Sequence, residues 1–236
     1  MSASANPDIV TDNLFGVIDS QATERASLVS AGADYNMDLL GSSTNRIFIN
    51  DATTVPSQNQ NYFGFGADSN TYAQLTDSNL SSYDIDFATG DGYSVDVWFM
   101  RTGYGTWDTA GGTYYDGIWN YYWNHYLAFR GQHVTGNKIY GTGLSDYTIE
   151  MNRWYNVVMT HDNNIASNMH KVYIDNNLQQ TSTVSHPSTA RRFYVGNWDA
   201  GWSMVGGIGC IRIYKKVLTA SEVLQNYNAT KDRFIR

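Results

Sequence analysis

Polar and apolar residues alternate through much of the chain. From Tyr93 to Met100, the residues Tyr93, Val95, Val97 and Phe99 fall on one face and Ser94, Asp96, Trp98 and Met100 on the other. That period of two predicts a half-buried strand. The apolar run from Trp154 to Thr160 is nearly continuous, which predicts a strand covered on both sides. Lys171 to Asp175, with Val172 and Ile174 on one face, predicts another, turned at Asp175-Asn176-Asn177, where asparagine tolerates positive φ. Phe193, Val195 and Ile208 to Tyr214 supply the last strands. Two stretches read as helical, Ala22 to Val29 and Ala220 to Lys231. The second opens on a capping box, Thr219 with Glu222, flanked by Leu218 and Val223 as a hydrophobic staple. Short strands separated by Asn, Asp and Gly turns at intervals of roughly 8 to 12 residues predict an all-β sandwich or jelly roll closed by a short C-terminal helix.

The segment 103–133 departs from this plain pattern. It opens loosely and then runs from Ile118 to Arg130 with Trp119, Tyr121, Trp123, His125, Leu127 and Phe129 on one face. Ile118, Asn120, Tyr122, Asn124, Tyr126, Ala128 and Arg130 fall on the other. Both faces carry aromatic rings, more than one sandwich core needs. The stretch from Tyr104 to Tyr126 is therefore expected to project from the sandwich and make intermolecular contact.

The ending from Gly206 to Glu222, with Ile208, Arg212, Ile213, Tyr214, Leu218, Thr219 and Glu222 in order, resembles the closing segment of laminin-G-like, concanavalin A-like jelly rolls. The Trp154-Tyr155 entry followed by Val172-Tyr173-Ile174-Asp175 is similar to the paired central strands of that family. Tyr62 to Leu75 and Gly90 to Arg101 resemble its early strands, and Ile9 to Gln21 resembles the opening strand of versions found as whole proteins in tailed-bacteriophage particles. The resemblance covers the chain from about Asp8 onward. It implies a single jelly-roll domain over residues 1–236, with 1–8 as a flexible arm and 103–133 as an aromatic-rich insertion.

Composition supports a large packed core. Aromatic residues make up 14% of the 236 residues and charged residues only 16%, and no Ser/Gly run or charge block divides the chain. The formal charge of −7 offers no basic footprint for nucleic acid. Nowhere do about 18 apolar residues follow one another, so no membrane insertion is expected. Cys210 is the single cysteine and sits in an apolar strand, where it reads as a small buried side chain. The N-terminus lacks the pattern of a secretory signal, which fits cytoplasmic synthesis followed by assembly into a virion.

Jelly rolls of this family include glucanases, and their chemistry needs a pair of carboxylates at defined separation. The chain has three glutamates, Glu24, Glu150 and Glu222, none alternating with another carboxylate. Asp84 and Asp86 alternate beside a turn, and Asp96 sits mid-strand. A lyase would draw on His125 or His133 with Tyr126 or Tyr140 and Arg130. The missing carboxylate pair argues against an enzyme. The family also implies calcium held by two aspartates, but this chain has Gly66 and Gly209 at those positions, leaving Asp68 and Asn70 as weak oxygen donors. No cofactor is expected. The aromatic residues Trp107, Tyr114, Tyr115, Trp119, Tyr121 and Trp123 with Asn124 supply a glycan groove, a protein interface or simply core, and Trp198 and Trp202 form a second such cluster. The expected role is a structural decoration or appendage protein of a tailed-phage capsid or tail, assembling as a homo-oligomer. A glycan-binding adhesin for the host surface is the alternative, and a polysaccharide lyase or glycosidase is the remote one.

Overall fold

A computed structural model of the chain describes residues 14–19, 27–30, 33–40, 46–50, 61–65, 72–75, 91–103, 115–121, 127–132, 138–141, 144–167, 170–183, 193–196 and 204–235. Side chains are described for 91–103, 147–167, 170–183 and 204–235. In chain order the elements are β1 (Leu14–Asp19), β2 (Ser27–Ser30), β3 (Ala33–Leu40), β4 (Arg46–Asn50), β5 (Asn61–Phe65) and β6 (Tyr72–Leu75). There follow β7 (Gly92–Arg101), β8 (Tyr115–Tyr121), β9 (Leu127–Gln132), β10 (Lys138–Gly141) and β11 (Leu144–Thr148). The last group is β12 (Trp154–Asp162), β13 (His170–Ile174), β14 (Asn177–Ser182), β15 (Phe193–Val195), β16 (Gly206–Tyr214) and α1 (Ala220–Phe234).

The strands form two antiparallel sheets, as the alternation predicts. The first runs β14-β13-β12-β7-β16-β5-β4. Its strand β16 is shared on one side: Gly206 to Ile208 pair with β5, and Cys210 to Tyr214 pair with β1. The opening strand thus lies beside the closing one. The second sheet runs β11-β10-β9-β8-β15-β6-β3-β2. At its margins β11 approaches β14 and β2 approaches β1, so the two sheets meet at both ends.

Every residue of β7 is buried, which corrects the expectation of a half-buried strand. The reason is α1, which covers the face carrying Ser94, Asp96, Trp98 and Met100. Phe234 near the end of the helix stacks on Trp98, with ring centroids 4.7 Å apart, and packs against Trp154 at 4.9 Å. Ring pairs of this kind contribute about 0.5–1.5 kcal/mol beyond the area they bury. On the opposite face Val95, Val97, Phe99, Val157, Met159 and Ile211 are all buried as the inner layer of the sandwich. β12 is covered on both sides, as its apolar run predicts.

The helix start matches the sequence. Glu222 N–H donates to Thr219 Oγ1, and the Glu222 carboxylate accepts from the Thr219 N–H at 2.8 Å, so both halves of the capping box are made. Leu218 and Val223 lie in one buried cluster with Val158, Tyr173 and Tyr214. The helix runs three residues past Lys231, far enough to seat Phe234. Between β13 and β14, Asp175 and Asn176 have φ of 47° and 66°, the two-residue hairpin geometry that matches the twist of the strands it joins.

Two expectations fail. Ala22 to Val29 is not a helix where it is described: Ser27 to Ser30 is strand β2, paired with Ala33 to Asn36. A short apolar pattern does not discriminate helix from strand, and the neighbouring strand decides. Ile118 to Arg130 is not one strand but parts of two, since Tyr121 pairs with Leu127 and the chain reverses between them.

Candidate functional site

The polar side chains of the first sheet are committed to holding the fold. Asp96, fully buried at the centre of β7, accepts from Asn156 Nδ2 at 2.7 Å, from Asn226 Nδ2 of the helix at 3.1 Å and from Arg212 Nη1 at 3.3 Å. Asn226 also donates to the Tyr214 hydroxyl at 2.9 Å. Burial raises the Tyr214 pKa, and the nearby Asp96 carboxylate adds to the shift. Trp98 donates its indole N–H to Thr230 Oγ1, and Ser94 Oγ donates to the Lys216 carbonyl and accepts from the Leu218 N–H. Together these bonds tie β7 to its neighbouring strands, to the helix and to the turn that leads into it. Asp96 is therefore a structural tether. Glu222 is likewise occupied by the cap and by Lys216 at 2.7 Å; burial pushes its pKa up, but the bonds from Lys216 and Thr219 outweigh that and hold it below the ordinary glutamate value.

On the inner face of the first sheet, His161 and His170 are buried cross-strand partners with Nδ1 and Nε2 3.0 Å apart, and His161 stacks on Tyr93. Burial lowers the His161 pKa to about 4, against smaller raising effects of Asn163 and Asp162. Among the described residues no group of three or more His, Cys, Asp or Glu is placed to hold a metal ion. The family's second calcium aspartate does not fit here. A Cβ added at Gly209 would overlap the Phe234 ring, so this backbone position is occupied by the helix and not by an ion. Gly66, Asp68 and Asn70 lie outside the described residues.

The second sheet is built differently, and its register shows how. Residues directly opposite one another share a face. One row reads Phe129, Trp119, Val195, Ala73, Leu39 across β9, β8, β15, β6 and β3. The next reads Ala128, Asn120, Tyr194, Gln74, Asp38 across the same five strands. The first row is wholly apolar, the composition of an inner sandwich layer; the second is polar apart from its end.

A bulge on β8 extends the polar face. Gly117 pairs with Arg130 but Trp119 pairs with Phe129, so one extra residue lies between them and the alternation shifts by one. Arg130 is in phase with Ala128, and Tyr140 of β10 lies directly opposite Arg130. The next row on that face is Tyr115, Gln132, Lys138 and Thr148. Thr148, whose side chain is described, is exposed, while Ile149 beside it is buried.

This register divides the aromatic candidates. Tyr115 falls on the polar face. Trp119 and Tyr121 fall on the apolar one, Tyr121 opposite Leu127 and Phe193. Because β8 lies inside the sheet, between β9 and β15, residues 115–121 do not project from the sandwich as expected. Trp107, Tyr114, Trp123, Asn124, Trp198 and Trp202 lie outside the described residues, as do His125, Tyr126, His133, Glu24, Asp84 and Asp86. Arg130 and Tyr140, named above for a lyase, are brought together. Sequence reasoning missed Asn120, Tyr194, Gln74 and Asp38 as members of one row. Their signal was present, since Tyr194 interrupts Phe193 and Val195, but strand partners are not legible in a single sequence.

Comparison with known proteins follows the same lines. Residues 65–224 match the family model described as the concanavalin A-like lectin/glucanases superfamily. The chain belongs to this superfamily. Among solved structures, superfamily-like folds with similarity over nearly the whole chain include Trypanosoma rangeli sialidase, at TM-score 0.62 and 14% identity, covering 95% of this chain and 34% of the sialidase. The same sialidase in complex with sialic acid gives TM-score 0.63 at 14% identity, covering 97% and 35%. The receptor-binding domain of botulinum neurotoxin C/D mosaic serotype gives 0.59 at 14%, covering 92% and 51%. The chain spans about a third of the sialidases' length and about half of the toxin domain's. At these identities the likeness is one of fold. No curated protein matches the sequence. The expected role as a decoration or appendage protein of a tailed-phage particle is corrected by these comparisons, because the structures sharing the fold include sialidases and a toxin receptor-binding domain. The motifs behind that expectation specify a sandwich, and one sandwich serves many functions.

Proposed function

We propose that this superfamily member is a non-enzymatic carbohydrate-binding module, holding an extended glycan against the polar face of its second sheet. The observation that carries the reading is the row Asn120, Tyr194, Gln74, Asp38 on adjoining strands, backed by an apolar row one residue away. Planar amides and carboxylates bind sugar hydroxyls, and a tyrosine offers both a flat apolar ring and a hydroxyl. At about 4.8 Å between strands, the five-strand row from Ala128 to Asp38 extends about 19 Å, long enough for several sugar units. The family supports the same reading, since lectins belong to it. Three of the described carboxylates are taken up by the fold: Asp96 holds strand to helix, Glu222 caps the helix and Asp175 pairs with Arg153.

The test is a polysaccharide array probed with the full chain, followed by size analysis of whatever binds. Retention of a polysaccharide at unchanged length is the predicted result. Shortening of the bound polymer would overturn the non-enzymatic assignment, and failure to retain any polysaccharide would overturn the module itself.

A further inference from the structure

Beyond Thr148 the chain leaves the second sheet for the first, and along that link Glu150, Asn152 and Arg153 are exposed while Ile149 is buried. Arg153 is exposed yet fixed. Its side chain is 47% exposed, but Nη2 donates to Asp175 Oδ2 at 2.9 Å and Nη1 donates to the Tyr155 hydroxyl at 3.4 Å. The guanidinium carbon lies 4.5 Å from the centre of the Tyr155 ring. Both anchors are themselves held. Asp175 is only 13% exposed and accepts from the Asn156 N–H at 3.0 Å, and the Tyr155 hydroxyl accepts from the Glu150 N–H at 2.8 Å. Burial raises the pKa of Tyr147 on β11 and Asp175 adds to the rise, so the pair lies at the seam between the sheets. Among the described residues the non-glycine positions with positive φ are Asn152, which precedes Arg153, and the turn residues Asp175 and Asn176. Such conformations persist where the surroundings fix them.

An arginine that is already clamped loses little further rotamer freedom when a ligand arrives. With one N–H of each Nη committed, the Nε–H and the second N–H of each Nη remain to bind one. The rim is not a positive site, however. Burial pulls the Arg153 pKa down, but Tyr155, Asp175 and the exposed Glu150 outweigh it and hold the guanidinium above its ordinary value. Lys231 on the helix is turned to Asn228 and to the Tyr227 ring. An anion at Arg153 therefore meets two carboxylates beside one guanidinium. An uncharged group that accepts and donates together fits better, and adjacent hydroxyls of a sugar ring are such a group. Their oxygens match the arginine fork, and their protons suit the Glu150 carboxylate.

We infer that Arg153 and Glu150 form a further subsite of the glycan module, taking a neutral sugar by two adjacent hydroxyls, with Asp175 and Tyr155 positioning the arginine. The inference rests on the carbohydrate-binding reading above. Thr148 links the two places, since it ends β11 in the row of Tyr115, Gln132 and Lys138 and stands a few residues before Arg153 in the chain.

The full chain is titrated calorimetrically with dextran, mannan and galactan, and with polygalacturonate as an acidic polymer. Each neutral polymer is also used after periodate has cleaved its adjacent diols and borohydride has reduced the aldehydes formed. At least one untreated neutral polymer should bind, and Arg153→Gln should weaken that binding about ten-fold through loss of the charged donors. Arg153→Lys should keep the melting temperature, because lysine can still pair with Asp175, yet fail to restore affinity, because it lacks the fork. Glu150→Gln should weaken binding several-fold. Periodate treatment should cost the parent chain more affinity than it costs Arg153→Gln. An equal cost in the two chains, or full affinity in Arg153→Lys, would overturn the subsite while leaving the module standing. So would retained affinity in Arg153→Gln and Glu150→Gln where Asn120→Ala and Tyr194→Ala abolish binding. A preference for polygalacturonate that disappears in Arg153→Gln would overturn the neutral diol as its ligand. Binding of none of these polymers by the parent chain would sink the carbohydrate reading and the subsite with it.

Discussion

Polar residues alternate with apolar ones in both sheets, yet the two polar faces have opposite fates. In the first sheet Ser94, Asp96 and Asn156 are buried beneath α1, and each is bonded to a neighbouring strand, to the helix or to the turn leading into it. In the second, the comparable row of Asn120, Tyr194, Gln74 and Asp38 continues toward Thr148, which is exposed. Alternation reports that a strand has two unlike faces; it does not report what covers them. The polar atoms under a helix stabilise the fold because leaving any one unpaired there is costly. Where no element covers such atoms, as at Thr148, they are open to a ligand.

The comparison breaks first at Asp96. Asp96→Ala leaves the buried Arg212 without its carboxylate and removes an acceptor from Asn156 and Asn226. A loss of about 3–5 kcal/mol is expected, read from urea unfolding. A change below about 1 kcal/mol would mean that the network is not a tether. Acid probes the same sheet from its inner face. His161 has a folded pKa near 4 against 6.5 in the open chain, so the unfolded state binds the extra proton first. Its contribution is present above pH 6.5 and is lost as pH falls toward 4. Melting followed across that window should decline, and His161→Gln should flatten the decline; an unchanged pH profile in the variant would remove the histidine pair from the account.

Gly209→Ala comes next. Its Cβ would overlap the Phe234 ring, and displacing that ring from Trp98 and Trp154 should cost about 1–3 kcal/mol. Addition of millimolar calcium should not offset the cost, since position 209 faces an aromatic ring; a melting temperature that rose markedly with calcium would contradict this placement. Thr219→Ala is the smallest, about 1 kcal/mol from the lost cap, measured by the same unfolding curve.

What the sequence disclosed depended on how local the cause was. Thr219, Glu222, Leu218 and Val223 lie within six residues and announced the helix start unaided. The turn at Asp175 and Asn176 was equally local. Phe234 was not legible as a keystone, because its value comes from Trp98 and Trp154, far away in sequence and near in space. The alternation places Trp119, Asn120, Tyr121 and Ala128 on the faces they occupy even though the chain turns between them, since the reversal between Tyr121 and Leu127 preserves the phase. The face of Tyr115 is set by the bulge after Gly117, and a lone glycine in a strand gives only a weak hint of a bulge. The polar row needed strand order, which no single segment contains.

The central claim is that the second sheet's polar face serves binding where the first sheet's serves stability. It is tested most directly by the double variant Asn120→Ala/Tyr194→Ala, with melting temperature and affinity for an array-identified polysaccharide measured on the same preparation. The account predicts melting within a few degrees of the parent chain and loss of binding by at least an order of magnitude. Collapse of the fold, or retained affinity in a folded variant, would contradict it.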